Sequence, residues 1–326
     1  MMADLLVTCG HLQRHIARYQ PEIEAAGFSV WVPPLTGQQF NAAQMAEMLA
    51  QCRVVIAGDD PLGQSELEAG RKGYLHGVVR WGIGTDNVDK PTATRLGLPV
   101  YNTPGMFNNE VADLALAHML CLVRHVHKMD RDVRAGLWTC YEGTSLYGKV
   151  LGIVGLGGIG REVARRARAC GMQVIGSDVA EIDKAALNEV GAIKVRFAQV
   201  LAESDVIVMA CNLTEENRHM LNSQTFLAMK RGVIVINVAR GPIIDETALI
   251  EALESGHVAA AGLDVFEIEP LPANSALRKF DNCLFGTHSG SSTAEGVQRT
   301  NRASVDIALA ILGRNPEHLA TCNRVA

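Results

Sequence analysis

Four stretches of this 326-residue chain carry residue types able to do chemistry. The first is Lys149–Gly160, KVLGIVGLGGIG, where an apolar run enters Gly155-x-Gly157-x-x-Gly160 and a helical pattern follows at once. In such a turn Gly155 permits the tight bend, Gly157 lets the backbone approach a pyrophosphate, and Gly160 lets helix and strand pack closely. The helix start at Gly158 and Ile159 offers unpaired N–H groups and a positive dipole end to phosphates. The next apolar run ends at Asp178, 23 residues after Gly155, a spacing that suits an acid on ribose hydroxyls. A carboxylate there repels a 2′-phosphate by about 4 kcal/mol per unit charge pair at 4 Å and an effective dielectric of 20. The expected cofactor is therefore NAD rather than NADP, and Arg161 on the other side of the turn does not reverse that preference.

Three later segments each follow an apolar run: Val235–Glu246 with Arg240, Gly262–Pro272 with Asp264 and Glu269, and Leu284–Glu295 with His288. In open α/β sheets ligands bind at the carboxyl ends of the strands, so all three segments are expected to meet beside the nicotinamide. Singly, an Arg past a strand is usually a surface ion pair, and Glu269 in EIEP has Glu267 as a competitor. The order of the set carries the reading. His118, His125 and His127 have no motif and read as interface or surface residues.

Positioning these residues takes a regular frame. Short β-branched runs (Leu5–Thr8, Phe28–Val32, Val54–Ala57, Val78–Arg80, Val150–Val154, Val174–Asp178, Val206–Ala210, Val233–Asn237, Ala259–Asp264) alternate with helical patterns such as Gly160–Cys170 and Thr247–Ser255. Continuous apolar strands between helices predict parallel sheets covered on both faces. Asn102-Thr103-Pro104-Gly105 is a turn, Glu110–Gly136 reads as one long helix, and Thr293–Leu312 as a last helix that need not pack on the domain nearest in sequence.

Composition sets outer bounds. With 48% hydrophobic and 20% charged residues and a net charge of −5, the chain is a folded globular protein, not a fibre or a disulfide-stapled scaffold. No basic stripe suggests nucleic acid. The apolar run Val111–Val123 contains Asp113 and His118 and is too short for a bilayer, so no membrane partner is expected. The eight cysteines include no CxxC pair, which gives no metal site. The start of the chain lacks a basic, apolar leader, and the expected setting is cytoplasmic with reduced thiols.

Across nearly its whole length the chain resembles the D-isomer-specific 2-hydroxyacid dehydrogenases. The resemblance runs through Gly82-Ile83-Gly84-x-Asp86-Asn87-x-Asp89, Asn102-Thr103-Pro104-Gly105, Glu110-x-Ala112-Asp113 and the glycine turn. It continues through Asn237-x-x-Arg240-Gly241, Leu263-Asp264-Val265-Phe266-Glu267-x-Glu269-Pro270 and His288-x-Gly290. It implies two doubly wound domains: a flavodoxin-like substrate domain, 1–101 plus 289–326, and a Rossmann dinucleotide-binding domain, 102–288. It also implies a homodimer, with the long helix as the dimer element.

The resemblance implies roles as well. His288 is the general acid that protonates the carbonyl oxygen, and Glu269 holds its other ring nitrogen. Arg240 clamps the substrate carboxylate with its planar fork. The backbone at Ile83 and Gly84 completes that grip. Asp264 contacts the carboxamide, Cys211 and Val238 border the cofactor, and Gly290 closes the same set. Thr287 and Asn212 stand where the family usually has proline.

The closest-looking branch is that of the phosphoglycerate dehydrogenases, since Arg80-Trp81-Gly82-Ile83-Gly84 resembles its Arg-x-Gly-x-Gly loop, where the Arg can meet a phosphate. Asp59 and Asp60 argue against a strong phosphate site. Nothing in the 326 residues resembles the regulatory domains that some members of that branch append. A glyoxylate/hydroxypyruvate reductase is the alternative within the family. An NAD-sensing co-repressor-like binding protein is the alternative outside enzymes.

Overall fold

A computed structural model describes residues 2–326. They divide into two compact units, residues up to Met106 with Thr293–Ala326, and Phe107–Ser292. Local hydrogen bonds explain why these limits lie a few residues beyond 101 and 288. Thr103 exchanges bonds with Gly82, its N–H reaching Gly82 O at 3.0 Å and its Oγ1 accepting Gly82 N at 2.8 Å. Arg299 donates to Met106 O at 2.6 Å, holding that turn to the first unit. At the other limit, Asp264 accepts the N–H groups of Ser289 and Gly290 and keeps them in the second.

The first unit is built on β1 (Ala3–Val7), β2 (Val30–Trp31), β3 (Cys52–Ala57), β4 (Gly77–Arg80) and β5 (Val100–Asn102). They pair in parallel in the order β5-β4-β3-β1-β2, the doubly wound flavodoxin order. β3 and β4 are almost wholly buried, which explains their unbroken apolar sequence. The helix Ala294–Ile311 packs on both, although 186 intervening residues belong to the other unit. The short strand Asn323–Arg324 adds to β5 in antiparallel fashion, with Asn323 opposite Asn102.

The second unit holds β6 (Val150–Val154), β7 (Gln173–Ser177), β8 (Ala192–Lys194), β9 (Val206–Met209), β10 (Val233–Asn237), β11 (Val258–Leu263) and β12 (Cys283–Phe285). All pair in parallel, in the order β12-β11-β10-β9-β6-β7-β8. The order reverses between β6 and β9, so the turn after β6 sits at the topological switch point. Val154, Val235, Leu249, Leu263 and Phe266 share one buried core here.

One long helix was expected over Glu110–Gly136; the structure has two, Asn108–Arg124 and Val126–Arg134. His125 breaks the pattern in the left-handed region (φ 54°), where no helix continues. The first of the two buries Val111, Ala115, Met119 and Leu122 within its own unit. His118 lies on that face and is 4% exposed, so it is a core residue rather than a surface one. Burial pushes its imidazole below the usual range, against the pull of Asp264.

Candidate active site

Every expected cofactor or catalytic residue of the second unit lies just past the carboxyl end of a strand. Gly155 follows β6, Asp178 follows β7, Cys211 follows β9, Val238 and Arg240 follow β10, Asp264 and Glu269 follow β11, and His288 and Gly290 follow β12. A parallel sheet points all its carboxyl ends one way, so residues 135 positions apart in the chain collect along one edge.

The glycine turn fits a dinucleotide. Gly155 has φ +98°, and a β-carbon there would lie 2.6 Å from Cys211 N and 2.7 Å from Ala210 O. A β-carbon on Gly160 would overlap the Gly155 carbonyl oxygen, so only glycine lets the helix Gly158–Ala169 start this close to β6. Gly157 is exposed, with open space where its side chain would be. That leaves room for a phosphate against the N-terminus holding Gly158 and Ile159. Asp178 braces the turn: Leu156 N donates to its Oδ2 at 2.7 Å, and Ala180 N to its Oδ1 at 2.8 Å. Val238 is buried beside this edge. Burial pushes the Cys211 thiol up to about 11, so it stays neutral and borders the site as an apolar group.

His288 and Glu269 form a pair. Nδ1 lies 2.7 Å from Glu269 Oε2, and the other carboxylate oxygen, Oε1, accepts Phe266 N at 2.9 Å. Both side chains are about one-quarter exposed or less, at 24% and 21%. The glutamate is therefore anchored by its own loop and orients the ring. Glu267, the competitor in sequence, accepts instead from Glu246 N at 3.2 Å and pairs with His219 at 2.8 Å.

His288 itself sits at φ +52°, a conformation costing about 1–2 kcal/mol in a non-glycine residue. Asp264 offsets that cost. Its carbonyl accepts His288 N at 2.7 Å, and its carboxylate accepts Ser289 N at 3.0 Å and Gly290 N at 2.9 Å. At 2% exposure, both its carboxylate oxygens serve the histidine turn. The resemblance assigns Asp264 to the cofactor; in the structure its carboxylate supports the histidine turn. Asn237, which the sequence shows only within the Asn237-x-x-Arg240-Gly241 motif, is a second such support. It is 1% exposed, and its side chain bonds both Ala239 N at 3.0 Å and Arg240 O at 2.9 Å, fixing the turn that carries Arg240.

Arg80, expected to contact substrate, is placed differently. It is 4% exposed, and its guanidinium is turned onto Asp59, the Trp81 carbonyl and Asn87 Oδ1, the last at 3.2 Å. A buried guanidinium without a partner is strongly destabilising, and Asp59 supplies the charge. Asp60 is 1% exposed and is held inward by Thr8 Oγ1, Phe40 N and Gly58 N. Arg80 thus organises the loop in which Ile83 and Gly84 lie, together with Asn102, which donates to Ile83 O at 2.8 Å.

A Rossmann sheet with a glycine turn at its switch point and a His–Glu pair on the same edge defines a dinucleotide-dependent oxidoreductase. The sequence model for "D-isomer specific 2-hydroxyacid dehydrogenase, NAD binding domain" matches residues 116–290. A hydroxypyruvate reductase of Thermotoga maritima is 41% identical over 285 residues, 86% of this chain and 91% of that protein. A D-3-phosphoglycerate dehydrogenase of Bacillus subtilis is 44% identical over 220 residues, 67% of this chain but 42% of its own length. The crystal structure of a D-lactate dehydrogenase from Aquifex aeolicus, complexed with NAD and lactic acid, superposes with a TM-score of 0.87 at 25% identity, covering 99% of each chain. The chain belongs to the D-isomer-specific 2-hydroxyacid dehydrogenases and uses NAD.

Proposed function

We propose that this dehydrogenase reduces short, unphosphorylated 2-keto acids, with hydroxypyruvate and glyoxylate as the leading substrates, and that Arg240, Glu269 and His288 carry the chemistry. The His288–Glu269 pair supports the catalytic assignment. NADH, when bound, supplies the hydride to the carbonyl carbon. Arg240 holds the substrate carboxylate and draws electron density toward the carbonyl oxygen. His288 gives its Nε2 proton to that oxygen as the C=O π bond opens, yielding the hydroxy acid; the reverse direction uses the neutral ring as base. Glu269 accepts the Nδ1–H, which fixes the neutral tautomer with Nε2 free to take a proton and stabilises the imidazolium. Asp178, Gly155, Gly157, Gly158, Ile159, Gly160, Cys211, Val238 and Gly290 are assigned to NAD, and the Ile83 and Gly84 backbone to the carboxylate.

The surroundings of Arg80 favour a substrate without phosphate. The Arg80 charge is met by Asp59, and a phosphate bearing nearly two negative charges would have to displace that carboxylate. The Thermotoga relative's name points the same way. The test is the initial rate of NADH oxidation with hydroxypyruvate, glyoxylate, pyruvate, phosphohydroxypyruvate and branched keto acids. Hydroxypyruvate or glyoxylate should exceed phosphohydroxypyruvate in kcat/KM by at least tenfold. Equal or higher kcat/KM for the phosphorylated acid overturns the assignment.

The assembly assigned is a homodimer. Val126, Val133, Leu137, Trp138 and Tyr147 are each exposed on and after the helix Val126–Arg134, Trp138 at 92%, and a second copy of this chain would cover them. Eight free thiols support a reducing, cytoplasmic setting, which cell fractionation tests.

A further inference from the structure

Three segments of the second unit meet behind the candidate catalytic groups. One is the turn after β10, with Arg240 and Gly241. The second is Phe266–Glu269, which ends in the glutamate held to His288. The third is His219–Leu221, which runs beside the first: His219 N donates to Pro242 O at 2.8 Å, Leu221 N to Ile243 O at 3.1 Å, and Asp245 N to Leu221 O at 2.9 Å.

Their contacts are specific. A β-carbon on Gly241 would overlap the Phe266 carbonyl group, so the Arg240 turn lies directly on the Phe266–Glu267 peptide. Two glutamates then lock that contact by exchanging bonds. Glu267 N donates to Glu246 Oε1 at 2.7 Å, and Glu246 N donates to Glu267 Oε1 at 3.2 Å. His219 Nε2 closes the group at 2.8 Å from the same Glu267 oxygen. His219, like His288, has a left-handed backbone (φ 51°). The two strained histidines therefore grip glutamates two positions apart on one loop.

This arrangement is costly unless it has a use. Burial, together with the like charges of Glu267 and Glu269, pushes the Glu246 carboxyl above its ordinary range, with the Glu267 N–H pulling the other way. A fold needing only a helix cap here already has one, since Asp245 accepts Thr247 N at 3.0 Å and Ala248 N at 3.2 Å.

We propose that His219, Glu246 and Glu267 are positioning residues for the reduction, a staple that sets the Glu269 loop in register with the Arg240 turn so that proton donor and carboxylate clamp act on one substrate. The staple touches no reacting atom. It rests on the assignment of Arg240, Glu269 and His288 made above.

The test compares Glu267→Ala, Glu267→Gln and His219→Gln with Arg240→Ala and His288→Asn in the full-length chain, using hydroxypyruvate and glyoxylate with NADH. Glu267→Ala should lower kcat/KM about 30- to 100-fold, through both a lower kcat and a higher keto-acid KM. The NADH Kd, measured by calorimetry, should stay within twofold. Glu267→Gln keeps an acceptor at the same place and should stay within threefold of wild type. His219→Gln should lose about fivefold with NADH affinity intact, and it decides the matter if Glu267→Ala does not fold. Wild-type kcat and KM in Glu267→Ala, or in His219→Gln where the alanine variant does not fold, overturns the staple. Equal losses in Glu267→Ala and Glu267→Gln accompanied by weakened NADH binding also overturn it, since that pattern marks general disruption. Near-normal rates in Arg240→Ala and His288→Asn would instead overturn the site itself. Collapse of those two beside unaffected staple variants removes only the present proposal.

Discussion

His288 holds an unfavourable backbone conformation so that its ring meets Glu269, and Asp264 supplies three hydrogen bonds to keep it there. In the proposed role, a side chain fixed from both sides in this way would meet its substrate with little further loss of freedom. Replacing the ring by an amide, His288→Asn, should lower kcat by about 10²–10⁴-fold, the usual contribution of a general acid. Calorimetry should show the NADH Kd unchanged, because the glycine turn stands on other strands. Asp178 has a double task, bracing Leu156 and Ala180 while presenting negative charge. Asp178→Asn keeps an acceptor and removes the charge. The ratio of kcat/KM with NADPH to that with NADH should rise at least tenfold, and an unchanged ratio would move the ribose acid to another residue.

At the scale of elements, each strand delivers its residues only if its own register holds. β6 enters the sheet beside Asp205, which accepts Val150 N at 2.8 Å and Lys230 Nζ at 3.1 Å. Burial would raise the Asp205 carboxyl, but the Val150 N–H and Lys230 outweigh it and hold it below the ordinary range. A depressed carboxyl stabilises the fold above its unfolded pKa of about 3.9 and loses that contribution as pH falls through the folded value. Asp205→Asn should therefore lower the Tm at pH 7 by about 2–4 °C, for a loss on the order of 1 kcal/mol. Melting curves at falling pH should show wild type and variant converging below about pH 4.

For the molecule as a whole, the exposed apolar residues on and after Val126–Arg134 are the feature a lone chain in water accommodates least well. The helix Asn108–Arg124, with its buried apolar face, is committed to its own unit, which shifts the dimer expectation onto Val126–Arg134 and the residues after it. Sedimentation velocity should show a dimer of wild type and a monomer of Trp138→Glu at micromolar concentration. A variant that remains dimeric places the contact elsewhere. Among the described residues no helix is long and apolar enough to cross a membrane.

Much of this is legible in the sequence alone. Glycines whose side-chain positions are filled by backbone, as at Gly155 and Gly160, leave a spacing in the chain, and β-branched runs announce strands buried on both faces. The order of Arg240, Glu269 and His288 likewise survives in one dimension, because each follows its own strand. Contacts across the sheet edge leave no such trace. Nothing adjacent in sequence links Arg80 to Asp59, His219 to Glu267, or Asp264 to the turn at Ser289 and Gly290. The break at His125 was hidden for a related reason, since helical periodicity continues through a residue whose φ alone ends the helix. Propensity and spacing are properties of neighbours along the chain. Which charge meets which, and whether an arginine faces a ligand or an aspartate, depends on burial, and burial is decided only when the sheet closes.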